Sequence, residues 1–249
     1  MTIQINPVKF KMDIKPNDDI TEMILSSSKK SIDDGDIIVI SQKIISKQEG
    51  RVINLNSVIP SELSVGIASA YEKDPKLVET ILSESKRIVR MEHGVIIVET
   101  NNNFICANAG VDESNVEKGY ATLLPVNPDR SAKRIRDDIL QITGKNIAVI
   151  ISDTFGRPFR LGQTDHAIGI AGIESIRNFE GKPDMFGKIM RVTAIAIVDE
   201  LCSAAELAMG KTDRCPVVII KNYEFESKND TINSIIRDKK EDLFRWFLV

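Results

Sequence analysis

Short, unbroken aliphatic runs set the first limit on this chain. Residues 147–151 read IAVII, and β-branched stretches also occur near 37–40 and 217–220. A bilayer crossing needs roughly 20 apolar residues, so none of these runs can span a membrane. Runs this short suit strands buried inside a globular protein.

Strands are accordingly expected at 2–8, 36–45, 146–152, 188–198 and 216–221. Shorter antiparallel strands at 87–91, 95–99 and 103–107 would be joined by turns at His93-Gly94 and Asn101-Asn102. Helical spacing predicts helices at 18–31, 61–71, 75–85, 131–142 and 200–209. In 131–142 the apolar stripe is Ala132, Ile135 and Ile139, and Gly144 stands where such a helix ends. The tail from residue 230 is predicted helical, with Phe244, Trp246 and Phe247 as an aromatic cluster for core or dimer packing. Strands and helices mix without strict alternation, which predicts an α+β fold over a doubly wound parallel sheet. No repeat or Pro/Gly/Ser-rich linker interrupts the 249 residues, so one unit, or two intimately connected lobes, is expected.

Charge narrows the function classes. Lys plus Arg number 33 against 36 Asp plus Glu, a net charge of −3, without the basic surplus of a dedicated nucleic-acid binder. Cys106, Cys202 and Cys215 are widely spaced and form no CxxC pair, the pattern of buried, reduced thiols in a cytoplasmic protein. The N-terminus lacks the apolar core of a signal peptide.

Four polar segments interrupt the apolar pattern. In the first, Asp153 and Thr154 directly follow the run IAVIIS, so a strand end would present two hard oxygen ligands to Mg²⁺ or Mn²⁺. Arg157 and Arg160 follow closely and suit phosphate or an anionic substrate; an ordinary surface turn is the competing reading. In the second, NAGVDESN, Asp112 suits a metal and Asn115 a nucleotide, while a helix-capping turn at Asp112 or Ser114 explains the pattern equally well. The third, SQKIISKQEGR, carries Gln42, Lys43 and Lys47 in a stretch that reads as extended, so the lysines are not assigned to one helical face. The fourth is Met209-Gly210-Lys211-Thr212. Its Gly-Lys-Thr is not a P-loop, because the helix precedes the motif and no glycine stands at the required spacing. His93 and His166 are read as structural.

Together these segments resemble the coenzyme F420-0:gamma-glutamyl ligase family. The likeness lies in SQKIISKQEGR, NAGVDESNVEKG, ISDTFGRPFRLGQTDHAIGIAG and VDELCSAAELAMGK, and spans residues 7–220. The combination of NAGxDxSN with SDTxGRxFRxG makes it specific. The resemblance implies GTP as cosubstrate, two divalent ions (Mg²⁺ or Mn²⁺), and transfer of L-glutamate to F420-0 through an acyl phosphate, with a second glutamate γ-linked. It also implies a cytoplasmic, intertwined homodimer of two-lobed α+β subunits with mixed and antiparallel sheets. Asp112 and Asp153 resemble the ligands of one metal, and Thr154 resembles a ligand of the second. Lys11, Met12, Asp13, Ile14, Gln42, Lys43, Lys47, Asn115, Met209, Gly210, Lys211 and Thr212 fall where the family contacts GTP.

Two departures stand out. Lys211 occupies a position where an acidic second-metal ligand is expected, with Asp213 as the nearby substitute. The sequence after residue 221 matches poorly, and no C-terminal nitroreductase-like domain is expected. The competing functions are a metal-dependent phosphohydrolase or phosphotransferase and a non-catalytic nucleotide-binding module.

Overall fold

A computed structural model describes residues 2–28 and 32–242 of the chain. The aliphatic runs form its centre. Strand β1 (Gln4–Val8) leads through helix α1 (Ile20–Ser27) to β2 (Ile37–Ser41), which passes directly into α2 (Gln42–Gln48). Next come β3 (Val52–Asn54), α3 (Glu62–Tyr71), α4 (Pro75–Ser83), β4 (Ser85–Glu92), β5 (Val95–Thr100), β6 (Ile105–Ala107) and β7 (Tyr120–Thr122). The second half contains α5 (Pro128–Thr143), β8 (Ala148–Arg157), β9 (Arg160–Ala171), β10 (Arg177–Asn178), β11 (Ala194–Ile195), α6 (Ile197–Met209) and β12 (Val217–Lys221).

A five-stranded sheet runs in the order β1-β12-β2-β8-β9. The three aliphatic runs supply its inner strands. Residues 37–40, 148–151 and 217–220 are all 0–1% exposed, as strands covered on both faces should be. Only β2 and β8 pair in parallel, with Ser41 opposite Ser152; the other pairs are antiparallel. The last residue of β2 therefore lies beside the middle of β8. There the chain leaves β2 into α2, while β8 runs on through Asp153 and Thr154.

Helices α5 and α6 pack on this sheet. Asn127 caps α5 by accepting from the Arg130 N–H at 2.9 Å, Pro128 opens it, and Gly144, at φ 70°, closes it. A second hydrophobic cluster joins Ile67, Val78, Ile81, Ile96, Val98, Val111 and Ala121, from α3, α4, the antiparallel sheet β4-β5-β6 and the segment through β7. This mixed architecture is α+β. No helix among the described residues is long and apolar enough to cross a membrane.

The structure corrects several expectations. The strand expected over 36–45 stops at Ser41, and Gln42–Gln48 is helical. The β-branched Ile44 and Ile45 read as strand, but both are buried from a helix face. The strand expected to end at 152 continues to Arg157, so Asp153 and Thr154 lie inside a strand and not at its end. Its partner β9 has no counterpart among the expected strands. The strand expected at 188–198 shrinks to Ala194–Ile195, and α6 begins at Ile197, three residues before the predicted start. No helix follows Asp112, which instead bridges Thr122 in both directions, so it is no helix cap. In the tail, the described residues hold a single 3-10 turn, Ile232–Ile235. Phe244, Trp246, Phe247 and the end of the 18–31 helix lie outside the described residues.

Candidate functional site

The charged residues gather where β2 ends beside β8. Lys43, the second residue of α2, turns towards the loop after β6. Its Nζ donates to Asp112 Oδ2 at 2.7 Å, to Ser114 Oγ at 2.7 Å and to the Ser114 carbonyl at 3.2 Å. The Ser114 N–H donates to Asp112 Oδ1 at 2.7 Å. Burial works to raise the Asp112 carboxyl, but these hydrogen bonds and the Lys43 charge outweigh it and hold its pKa below the ordinary carboxylate value. Lys47 lies one helical turn beyond Lys43, on the same face of α2. The loop that carries Asp112 begins unusually, with Asn108, Ala109 and Gly110 all at positive φ.

Asp153 behaves differently. Burial, reinforced by the Asp165 and Asp112 carboxylates, pushes its pKa up to about 7, against the opposing pull of the Thr154 N–H and Lys43. Asp153 thus feels two neighbouring carboxylates in addition to its burial. A cation bound beside it would relieve that repulsion and favour the ionised form.

Beside Asp153, the Thr154 hydroxyl donates to Asp165 Oδ1 at 2.6 Å, and Ser152 Oγ meets Asp165 Oδ2 at 3.3 Å. The pairing of β8 with β9 sets Thr154 opposite Asp165. Lys211 reaches in from the loop after α6: its Nζ lies 2.9 Å from Thr154 Oγ1, 3.3 Å from Asp165 Oδ1 and 3.2 Å from Glu206 Oε1. Burial works against the Lys211 ammonium, but Asp165 and Glu206 outweigh it and raise its pKa, so it stays charged.

The remaining predicted residues are distributed around this cluster. Lys11, Met12 and Asp13 are exposed and Ile14 is buried, in the bend after β1. This bend lies against the loop after α6, through Phe10 N–H to the Arg214 carbonyl at 3.0 Å and Arg214 Nη1 to the Lys11 carbonyl at 3.4 Å. The structure therefore brings the first and last predicted segments together. Gln42 is buried and accepts from Ser46 Oγ at 2.7 Å. Asn115, exposed and at φ 56°, immediately follows Ser114. Met209 is buried as the last residue of α6; Gly210 ends the helix, and Thr212 is exposed beyond it. Helix before Gly-Lys-Thr is the order that excludes a P-loop.

Arg157 and Arg160 stand apart. They close the β8–β9 hairpin, where Arg157 Nη2 donates to the Leu161 carbonyl at 3.1 Å and Arg160 is exposed. About 13 Å of strand separates Arg157 from Asp153 along β8.

Asp165, Glu206 and Ser114 carry no signal of their own in the sequence. Asp165 sits in QTDHAIG beside the more conspicuous His166, whose ring stacks on Phe155 at 5.8 Å and meets Thr164 Oγ1 at 2.9 Å. A β8–β9 pairing would have revealed it by placing a second carboxylate opposite Thr154. All three cysteines are buried and free, as expected.

Among the described residues, no three His, Cys, Asp or Glu side chains form a ready-made metal cage. Asp112 and Asp153 nevertheless fit a hard divalent ion of the kind held by one or two carboxylates plus substrate phosphates. The fold and site thus define an α+β protein with a cluster of lysines and carboxylates where β2 ends beside β8, of the residue types that suit polyanions and a cation.

Comparison with known proteins makes this specific: the chain belongs to the F420-0:gamma-glutamyl ligase family, whose family model matches residues 9–222. It is similar to the coenzyme F420:L-glutamate ligase of Methanocaldococcus jannaschii, 48% identical over 215 residues covering 86% of each chain. The ligase of the same name from Methanothermobacter thermautotrophicus is 44% identical, over 92% of this chain and 93% of its own. The Archaeoglobus fulgidus ligase is 36% identical over 98% and 97%, so the similarity extends well into the tail.

Proposed function

We propose that this protein is a cytoplasmic, GTP-dependent ligase that joins L-glutamate to coenzyme F420-0 in coenzyme F420 biosynthesis. The observation that carries the reading is the gathering of Lys43, Asp112, Asp153, Thr154 and Lys211 where β2 ends beside β8, in a chain of this family.

The chemistry follows from that convergence. A carboxylate oxygen of the F420-0 lactyl group attacks the γ-phosphorus of GTP. The bond to the β–γ bridging oxygen breaks, and GDP leaves. The amine of L-glutamate then attacks the acyl carbon, the carbon–oxygen bond to phosphate breaks, and loss of a proton from nitrogen leaves the amide. A second round extends the product by a γ-linked glutamate. Asp112 and Asp153 would hold Mg²⁺ or Mn²⁺, which when bound supplies positive charge to the phosphates. Lys43 anchors Asp112 and would meet the phosphates of the bound nucleotide. The bend at Lys11, Met12, Asp13 and Ile14, which touches the loop after α6 at Arg214, would contact the nucleotide together with the segment through Gly210 and Thr212. No side chain is needed as general base, because positioning and charge neutralisation supply the acceleration.

The working unit is a homodimer of two-lobed subunits. Two observations support it: the hydrophobic core falls into two clusters, and large apolar side chains crowd the exposed β8–β9 tip.

The deciding experiment incubates the protein with F420-0, L-glutamate, GTP and Mn²⁺, omitting each in turn, and reads products by mass spectrometry. A gain of glutamyl mass that requires all four components is expected. Phosphate release that ignores glutamate would replace the ligase with a phosphohydrolase. Nucleotide binding without turnover would replace it with a binding module.

A further inference from the structure

A cavity of about 220 Å³ opens between the start of β6, the β8–β9 pair and the turn at Ile232–Ile235. Phe155 and His166, stacked at 5.8 Å, line it, and Phe104 is tilted against Phe155 at 6.3 Å. Ile235 and Ile236 add further apolar surface. One ladder pair joins this cavity to the candidate site, because His166 on β9 stands opposite Asp153 on β8. Directly opposed residues of an antiparallel pair point to the same face, with Cβ atoms about 4.5–5.5 Å apart. A ligand seated against His166 therefore lies close to the carboxylate read as a metal ligand.

The charged groups of the lining are engaged, with one exception. His166 meets Thr164 Oγ1 through Nε2 at 2.9 Å and Asp199 Oδ2 through Nδ1 at 3.5 Å. Asp199 Oδ1 accepts from the Ala167 N–H at 2.9 Å, and Asp242 has a partner as well. The Arg237 side chain lines the cavity and makes no hydrogen bond or ion pair among the described residues. Its guanidinium offers a fork of N–H donors that matches a carboxylate. Drug-sized ligands take roughly 300–1,000 Å³, so this volume suits a molecule of amino-acid size better than a fused-ring coenzyme.

We propose that this cavity is the subsite for the incoming L-glutamate, with Arg237 holding its γ-carboxylate and its amine turned towards the acyl phosphate formed beside Asp153. The inference rests on the ligase reading of this protein. It supplies what that reading lacks, a side chain that tells L-glutamate from an amino acid without a second carboxylate. The apolar walls take the methylene groups between the two ends.

The test is steady-state ligase kinetics on the whole chain, with thermal melting as the check on folding. Arg237→Gln keeps the length of the side chain and removes its charge. Its KM for L-glutamate should rise at least about 10-fold, while its KM for GTP and for F420-0 stays within about twofold of wild type. L-Glutamine, which lacks the γ-charge, should compete with L-glutamate better in Arg237→Gln than in wild type. Arg237→Lys keeps the charge without the fork and should fall between the two; if Arg237→Gln does not fold, a rise in KM for L-glutamate alone in Arg237→Lys decides the matter. An unchanged KM for L-glutamate, or a rise shared by GTP or F420-0, would overturn the subsite and leave the ligase standing. Wild-type protein that forms no glutamyl product would overturn the ligase reading and the subsite with it.

Discussion

At Asp153 burial and the Asp165 and Asp112 carboxylates push the pKa up to about 7, while Lys43 and the Thr154 N–H pull it down. A carboxyl raised in the folded state keeps its proton longer than it would in the unfolded chain. Metal-free protein therefore loses stability as pH rises from the ordinary carboxylate value towards about 7. Asp153→Asn cannot ionise. It should melt higher than wild type at about pH 8 without metal, by on the order of 1–3 kcal/mol, and the gap should close at about pH 4. Mg²⁺ should stabilise the wild type and not the variant, whose glutamate transfer should fall at least about 10²-fold. Thermal melts with and without Mg²⁺, beside the ligase assay, check this. A variant that melts lower under every condition would mean that Asp153 has a structural role instead. Asp153 and Lys43 are legible as candidates because each closely follows an aliphatic run, and Asp112 because it stands in an Asn/Gly-rich segment after a predicted strand. Asp165 is not legible. Its meaning comes from lying across β8 from Thr154, and strand pairing is not written in local spacing.

Strand β9 meets the first turn of α5 at Gly169. A Cβ there would lie 2.4 Å from the Pro128 carbonyl carbon and 2.5 Å from its Cβ, so space selects glycine and no unusual backbone angle is involved. Gly169→Ala should destabilise the protein by about 1–3 kcal/mol through overpacking. Gly66 is the control. It lies exposed within α3, where an added Cβ would meet nothing within 4 Å, and Gly66→Ala should stabilise by roughly 0.5–1 kcal/mol through helix propensity. Denaturant unfolding of both variants checks the pair, and a neutral Gly169→Ala would mean that α5 can shift away from the sheet. The same scale shows where sequence reasoning stops. Helix α5 is legible because stripe, cap and terminal glycine all agree. Helix α2 is not, because Ile44 and Ile45 favour strand locally, while tertiary packing buries them from a helix. The outer half of β8 and the facing half of β9 stay hidden because that arm carries polar residues, while the inner half of β9, AIGIA, is aliphatic but broken by Gly169.

Across the whole molecule, several of the most exposed apolar side chains fall in two ordered segments. Phe159 and Leu161 at the β8–β9 tip are 89% and 99% exposed, and Met185, Phe186 and Val192 between β10 and β11 are 87–90% exposed. Neither segment is a loose loop. The hairpin is paired as far as Arg157 and Arg160, and the second segment is held by hydrogen bonds such as Met190 N–H to the Lys182 carbonyl at 2.9 Å and Asp184 N–H to the Lys188 carbonyl at 2.8 Å. Ordering such segments only to leave aromatic rings in water has no benefit for an isolated chain, and exposed clusters of this kind mark surfaces for a partner. Because a symmetric dimer buries each patch twice, it is the simplest way to cover them. The protein should therefore run by light scattering at twice the 27.7 kDa mass of one chain. Replacing Phe159 and Leu161 together by serine should shift it to the single-chain mass and remove the dependence of melting temperature on protein concentration. The Lys43–Asp112 pair lies on other elements, so the residual ligase activity of that variant would show how far one site depends on the partner chain. Wild-type protein at the single-chain mass at every concentration would sink the dimer and leave the exposed rings for the substrate or another partner to cover.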